Sequence, residues 1–335
     1  MKYYVGAYAA SPNHSGWNAT LETAFYNELK ALPNIKGLEH PFLGSLHQHD
    51  DNWFLANIDA SWDYVFTCIP GIMNALGQNP LFGIASDDEA GRAAALDFVQ
   101  QACAAIGKLN AYLGRQAVTA IQIQTAPARH KAASSKEALA ASLNTMLSWD
   151  WQGAKIVIEH CDAYVASHAP SKGFLALSDE LEVLATVNAT IPEQQRLGMV
   201  INWGRSVFET RTVAGAAEHI QAAQQAGLLS GVMFSGVSDK DSEYGAWRDS
   251  HQPPRTSDKV QHGEPGSWMT EQAMHDCLAA SANPAALLVL GAKIGIRPLN
   301  ASIAQRIGTI RDTLAILDRY FAYQTSKVTL SGAGG

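Results

Sequence analysis

Eight short apolar runs, each followed by a stretch of helical pattern, constrain this chain more than any other feature. The runs are Tyr3 to Tyr8, Ile35 to His40, Trp62 to Ile69, Ala117 to Thr125, Lys155 to Glu159, Leu197 to Asn202, Leu228 to Phe234 and Ala285 to Ile296. They are close to continuously apolar, as strands covered on both faces must be. Helical stretches are expected at about 20–32, 50–57, 86–113, 134–149, 177–189, 213–226, 270–282 and 300–323. Ser86-Asp87-Asp88-Glu89 and Ser134-Ser135-Lys136-Glu137 have the S-x-x-E spacing of capping boxes and mark two of the starts. Strand–helix alternation predicts an α/β fold, and eight units predict a (β/α)8 TIM barrel rather than an open doubly wound sheet. No G-x-G-x-x-G follows the first strand and no Walker sequence occurs, which weakens dinucleotide and NTPase readings.

The expected organisation is a single barrel domain over residues 1–326, with long loops after strands 2 and 7 and a disordered tail at 327–335. With 335 residues, 47% of them hydrophobic, the chain is ample for one such core. Its net charge of −7 argues against nucleic acid or an anionic membrane as partner. No apolar stretch reaches the roughly 18 residues of a membrane span. Cys68, Cys103, Cys161 and Cys277 are far apart and form no CxxC pair. They read as reduced thiols, and with no signal-peptide pattern at the N-terminus the expected location is cytoplasmic.

In a barrel of this kind, chemistry sits just after the strands. At those places the sequence offers His14, Glu39 with His40, Thr67, Gln124, the Glu159-His160-Asp162 group, Asn202 with Arg205, Ser235 with Asp239, and Lys293 with Arg297. The seventh loop adds Asp249-Ser250-His251. Glu159 ends an apolar strand, Ile156-Val157-Ile158, and is the leading catalytic candidate. His160 should face away from it, because side chains alternate along a strand, and so reads as a packing residue. Asp162 reads as a cap for the next turn. Trp203 and Trp247, beside Arg205 and Arg248, suit the faces of a small molecule such as a sugar, or a subunit contact. Lys293 and Arg297 suit a substrate carboxylate or phosphate.

The eight units, the Gly37-Leu38-Glu39 of the second strand and the Glu159 that ends the fifth resemble the xylose isomerase-like TIM barrels. Within that superfamily the chain looks closest to an uncharacterised bacterial family. The resemblance covers essentially the whole chain. It implies isomerisation or epimerisation of sugars, with a divalent metal (Mg, Mn or Zn) held by residues from strands five to eight. Carried over position by position, Glu159 matches the first ligand. Asn202 stands where Asp is usual, and Ser235 where His is usual. The eighth strand supplies Lys293, Gly295 and Arg297 with no Glu. A metal, if held, would therefore use Glu159, Asn202 and His251, with Asp249 and Asp239 as further candidates.

The expected function is a sugar or sugar-acid isomerase or epimerase that takes a proton next to a carbonyl. Glu159, His251 and Lys293 are its catalytic candidates. Glu39, Gln124, Asn202, Trp203, Arg205, Trp247 and Arg297 are its substrate-binding candidates, and the substrate is a small, anionic, sugar-like molecule. Two alternatives stay open. One is a metal-dependent hydrolase or lyase gathering an ion with His47, His49, Glu159 and His251, since His47-Gln48-His49 resembles the H-x-H pair of amidohydrolase-type barrels. The other is a binding barrel without catalysis. Homo-oligomerisation is left open.

Overall fold

The computed structural model describes the backbone of residues 1–332 and the side chains of residues 1–326. Eight parallel strands close into a barrel in chain order. They are β1 (Tyr3–Val5), β2 (Ile35–Pro41), β3 (Asp63–Thr67), β4 (Val118–Ile123), β5 (Lys155–His160), β6 (Gly198–Asn202), β7 (Leu229–Phe234) and β8 (Val289–Ala292). Closure is direct: Tyr4 pairs with Gly291 and Val5 with Ala292. The fold is the (β/α)8 barrel that the alternation predicts.

The barrel interior is filled in layers. Tyr4, Val65, Ala120, Val157, Val200, Met233 and Val289 form a fully buried apolar layer of their own. Because side chains alternate, the next inward positions toward the strand ends are Thr67, Gln122, Glu159, Asn202 and Ser235, all buried. The interior therefore changes from apolar to polar within one step along the strands, and that step sets the floor of the mouth. The outward positions pack into a second, larger core against the helices.

Among the described residues, ten α-helices surround the barrel: α1 (Ala19–Lys30), α2 (Asp51–Asn57), α3 (Ile69–Gln78), α4 (Glu89–Leu113), α5 (Lys136–Leu147), α6 (Leu177–Asn188), α7 (Trp203–Thr210), α8 (Ala214–Gln225), α9 (Glu271–Ala280) and α10 (Ile303–Gly332). Two of them are not among the helices expected from the sequence. Pro70-Gly71 looks like a stop, yet α3 begins there, because proline in a first helical turn gives up only an N–H that has no helical partner. Trp203-Gly204-Arg205 looks like a loop, yet Asn202 accepts N–H bonds from Gly204 and Arg205 and starts α7.

Both predicted capping boxes are displaced. Asp88, not Ser86, caps α4, and Ser135, not Ser134, caps α5. Ser86 and Ser134 instead form a bridge with each other, so the segments before the two helices are paired. The eighth strand is shorter than expected, since 284–286 is a 3-10 turn. The expected tail overlaps α10 up to Gly332, and residues 333–335 lie outside the described residues. The four cysteines are unpaired. Among the described residues, no helix is long and apolar enough to cross a membrane.

Candidate active site

The polar layer at the strand ends is organised around one ammonium group. The backbone N–H of Lys293, just past β8, still bonds to Phe234 of β7, so its side chain continues the inward row of Val289 and Gly291. Its Nζ lies 3.2 Å from Glu39 Oε2 and 3.6 Å from Glu159 Oε1, and none of the three side chains has exposed surface. Gln124 Nε2 donates to Glu159 Oε2 at 2.8 Å, and Asn202 Nδ2 donates to Glu159 Oε1 at 3.0 Å. Gly6 makes room for this cluster. A Cβ there would stand 2.9 Å from Lys293 Cβ and Cγ and 3.0 Å from Glu39 Oε2.

The two carboxylates are driven apart in acidity. Burial raises Glu39 to about 7, although Lys293 pulls the other way. Burial also pushes Glu159 upward, but Lys293, Arg205, Asn202 and Gln124 outweigh it and leave it below the usual carboxylate value. Lys293 is held well above its usual value, because Glu159 and Glu39 overcome its desolvation. Near neutral pH the cluster therefore holds a permanent cation, a permanent anion and one carboxyl poised to exchange a proton. A pair of carboxyls so separated is how one site can run acid and base steps.

A second charged cluster joins the seventh loop, residues 235–270, to the rim. Asp249 Oδ2 lies 2.6 Å from Arg205 Nη2 and 3.2 Å from Lys172 Nζ, and its Oδ1 lies 3.4 Å from His251 Nδ1. His251 Nδ1 also meets Ser235 Oγ at 2.7 Å. Burial and the nearby cations lower His251 to about 3 against the pull of Asp249, so its ring is neutral. Gly295 N donates to His251 O, and Gly236 and Gln252 exchange backbone bonds, so the loop lies over its own barrel. Trp247 and His251 hold positive φ values of +48° and +55°, which non-glycine residues adopt at a cost. The space between Ser171, Gly204, Arg205, Ser235 and Asp249 is 10 Å³, about one water. Arg205 is buried, yet its Nε and Nη1 have no hydrogen-bond partner, nor has Gln124 Oε1. Buried polar atoms without partners are what a substrate group would satisfy.

The structure brings together Glu39, Gln124, Glu159, Asn202 and Lys293, with Arg205 and His251 in the adjoining cluster. It sends the other candidates elsewhere. Trp203 is fully buried in the outer core, its indole against Cys277 of α9. Trp247 packs edge-on to Trp268 under the guanidinium of Arg211. Arg297 lies over the Tyr244 ring and donates to Ile296 O. Asp239 accepts from Trp268 Nε1. His47 accepts from the backbone N–H of Asp50 and stacks on Phe54, so the H-x-H motif serves the loop before α2. His160 does face away from Glu159, but Asp162 does not cap the next turn: it accepts from the Ser171 and Lys172 N–H groups across the loop, and its Oδ1 lies 3.9 Å from Arg205 Nη1.

The donor set expected for a metal does not suit one. Both oxygens of Glu159 already accept N–H groups, and Lys293 supplies the cation. Asn202 turns its oxygen toward the N-terminus of α7. The Nδ1 of His251 is engaged by Ser235 and Asp249. An ammonium between the carboxylates would repel a divalent ion placed there. Among the described residues, one group of three His, Cys, Asp or Glu side chains brings its ligand atoms within 4.8 Å of one another, and it comprises His160, Glu209 and His219, outside the barrel.

Fold and mouth together define a closed (β/α)8 barrel with one polar cluster at its strand ends. Two solved structures carry the same fold. One, a xylose isomerase-like TIM barrel/4-hydroxyphenylpyruvate dioxygenase fusion protein, superposes with a TM-score of 0.56 at 12% identity. The match covers 98% of this chain and 44% of that one. The other, a D-psicose 3-epimerase in the presence of D-fructose, gives 0.54 at 12% identity over 94% and 97% of the two chains. More narrowly, residues 4–309 match the domain of unknown function DUF4862, and the chain belongs to that family. A relative from Salmonella typhimurium strain LT2, "Uncharacterized protein STM3670", is 34% identical over 319 residues, 95% of this chain and 97% of that one.

Proposed function

We propose that the protein is a sugar or sugar-acid isomerase or epimerase that transfers a proton next to a carbonyl and uses the Lys293 ammonium to hold the charge that develops. The observation that carries this is the buried Glu39–Lys293–Glu159 cluster at the mouth, with one carboxyl tuned close to neutral pH. A base works best when its pKa lies near the working pH, which favours Glu39 over Glu159. Ionised Glu39 takes the proton from the carbon beside the carbonyl and becomes the neutral acid. The electron pair moves onto the carbonyl oxygen, and the Lys293 ammonium holds the resulting enediolate charge. In isomerisation the hydroxyl proton of the first carbon passes to the former carbonyl oxygen, and Glu39 returns its own proton to the former carbonyl carbon. For epimerisation the opposite face takes its proton from water, because Glu159, held ionised, has none to give, and Glu39 releases its own to solvent. Gln124 and Asn202 orient Glu159, and Arg205 on the rim suits an anionic substituent. The likeness in fold to a D-psicose 3-epimerase lends support to the carbohydrate class.

The test is hydrogen exchange in heavy water. Ketoses, aldoses and uronates are incubated with the protein, and deuterium entry beside the carbonyl is followed by NMR. Catalysed exchange with at least one sugar, lost in Glu39→Gln, is the expected result. No exchange across the panel overturns the reading.

A further inference from the structure

Behind the mouth, on the outer face of β5, a second group of side chains converges without a part in the proposed reaction. His160 ends β5, Glu180 belongs to α6, Ser206 and Glu209 to α7, and His219 to α8. The two imidazoles are held in the same way. His160 Nδ1 lies 2.7 Å from Glu180 Oε2, and His219 Nδ1 lies 3.0 Å from Ser206 Oγ. Each therefore turns its Nε2 toward one carboxylate. His160 Nε2 is 3.0 Å from Glu209 Oε2, and His219 Nε2 is 3.8 Å from Glu209 Oε1. The partners are fixed in turn, since Thr125 Oγ1 donates to Glu180 Oε1 and Ala163 N donates to Glu209 Oε2.

We propose that His160, Glu209 and His219 form a binding site for a divalent transition-metal ion of the zinc type, with Glu180 and Ser206 orienting the two imidazoles. Zinc takes imidazole nitrogen and carboxylate oxygen at about 2.0–2.2 Å, which puts neighbouring ligand atoms roughly 3–3.5 Å apart. The observed separations from Glu209, 3.0 and 3.8 Å, bracket that spacing. A histidine ligand whose other nitrogen is held by a carboxylate is the usual second layer of such sites. His160 is fully buried, while the side chains of Glu209 and His219 keep 12% and 14% of their surface exposed. Those two side chains touch solvent, the source from which a water would complete the four ligands.

The ion would tie β5, which carries Glu159, to α7, which carries Arg205, from the far side of the sheet. It is a structural ion independent of the reaction proposed above, and its chemistry does not overlap with Lys293.

The test uses the full chain freed of metal by chelator and dialysis. Titration with Co²⁺ should give the visible bands of a four-coordinate site at one equivalent, and Zn²⁺ should displace it. Glu209→Gln and His219→Ala should weaken Zn²⁺ binding at least 100-fold by calorimetry, and Glu180→Gln about 10- to 100-fold as an outer-layer partner. Glu159→Gln, at the mouth, should bind Zn²⁺ as the parent does. Absence of a stoichiometric Co²⁺ complex in the parent protein overturns the site, as does undiminished binding in both ligand variants. Should a variant fail to fold by circular dichroism, the cobalt spectrum of the parent protein decides alone.

Discussion

Lys293 and Glu39, 254 residues apart in the chain, meet at 3.2 Å with no exposed surface on either side chain. Every inward-pointing strand end between them contributes to the same polar layer, so this pair closes the site as β1 and β8 close the barrel. A charge pair so deep costs desolvation that its attraction only partly offsets, and removing one member strands the other. Replacing Lys293 by Met leaves Glu39 and Glu159 facing each other without a cation. The variant should lose about 3–5 kcal/mol of stability, the range for breaking a buried pair. Urea denaturation measures this, and Glu39→Gln added to Lys293→Met should recover part of the loss.

Glu39 gives the pH dependence of the reaction. With its carboxyl raised to about 7, the base form grows as pH climbs through that value. Deuterium exchange should rise about tenfold per pH unit below 7 and level off above it. Stability runs the other way. A carboxyl whose folded-state value is raised from 4.5 contributes fully below the unfolded value, and the contribution is lost as pH rises through about 7. A rate profile without a limb near 7 contradicts the role given to Glu39.

Gly6 is required by packing, since its φ of −75° is open to any residue. An added methyl meets Lys293 Cβ and Cγ and the Glu39 carboxylate, and Lys293 is locked by two ion pairs. Gly6→Ala should cost about 1–3 kcal/mol, as overpacking does. It should also cut exchange tenfold or more, by moving the ammonium. A thermal melt beside the exchange assay separates the two effects.

Asp249 occupies the cations that an anionic substrate would use. Arg205 and Lys172 both reach it, and Arg205 still has two nitrogens, Nε and Nη1, that make no hydrogen bond, Nη1 lying 3.9 Å from Asp162. Asp249→Asn should lower stability, because a buried guanidinium loses its counter-charge. It should also bind a uronate such as D-glucuronate at least tenfold more tightly than the parent, read by calorimetry. Unchanged or weaker binding removes Arg205 and Lys172 from the substrate site.

Much of this is legible in the residues. Buried parallel strands write themselves as apolar runs, and the residue at the end of each run is held at the mouth by the barrel itself. Glu39, Gln124, Glu159, Asn202, Arg205 and Lys293 all follow from that rule. Residue type is a poorer guide than position. Trp203 and Trp247 resemble sugar-stacking residues, but an indole is as well served by burial, and both pack against other side chains. The loop motif His47-Gln48-His49 is local, because its partners are the backbone and rings around it. The second cluster is half visible. Alternation puts His160 on the outer face, but Glu180, Glu209 and His219 lie on three helices, and nothing in their spacing says that they meet.

Asn202 does two jobs with one amide: its nitrogen serves Glu159 and its oxygen starts α7. A carboxylate could start the helix equally well. It would then set a second negative oxygen 3.0 Å from Glu159 with no proton between them. The amide at this position and the lysine at 293 are therefore one choice made twice. Across relatives they should be inherited together, and a chain that trades the lysine for a neutral or acidic residue should trade the amide for an acid and take its cation from solution.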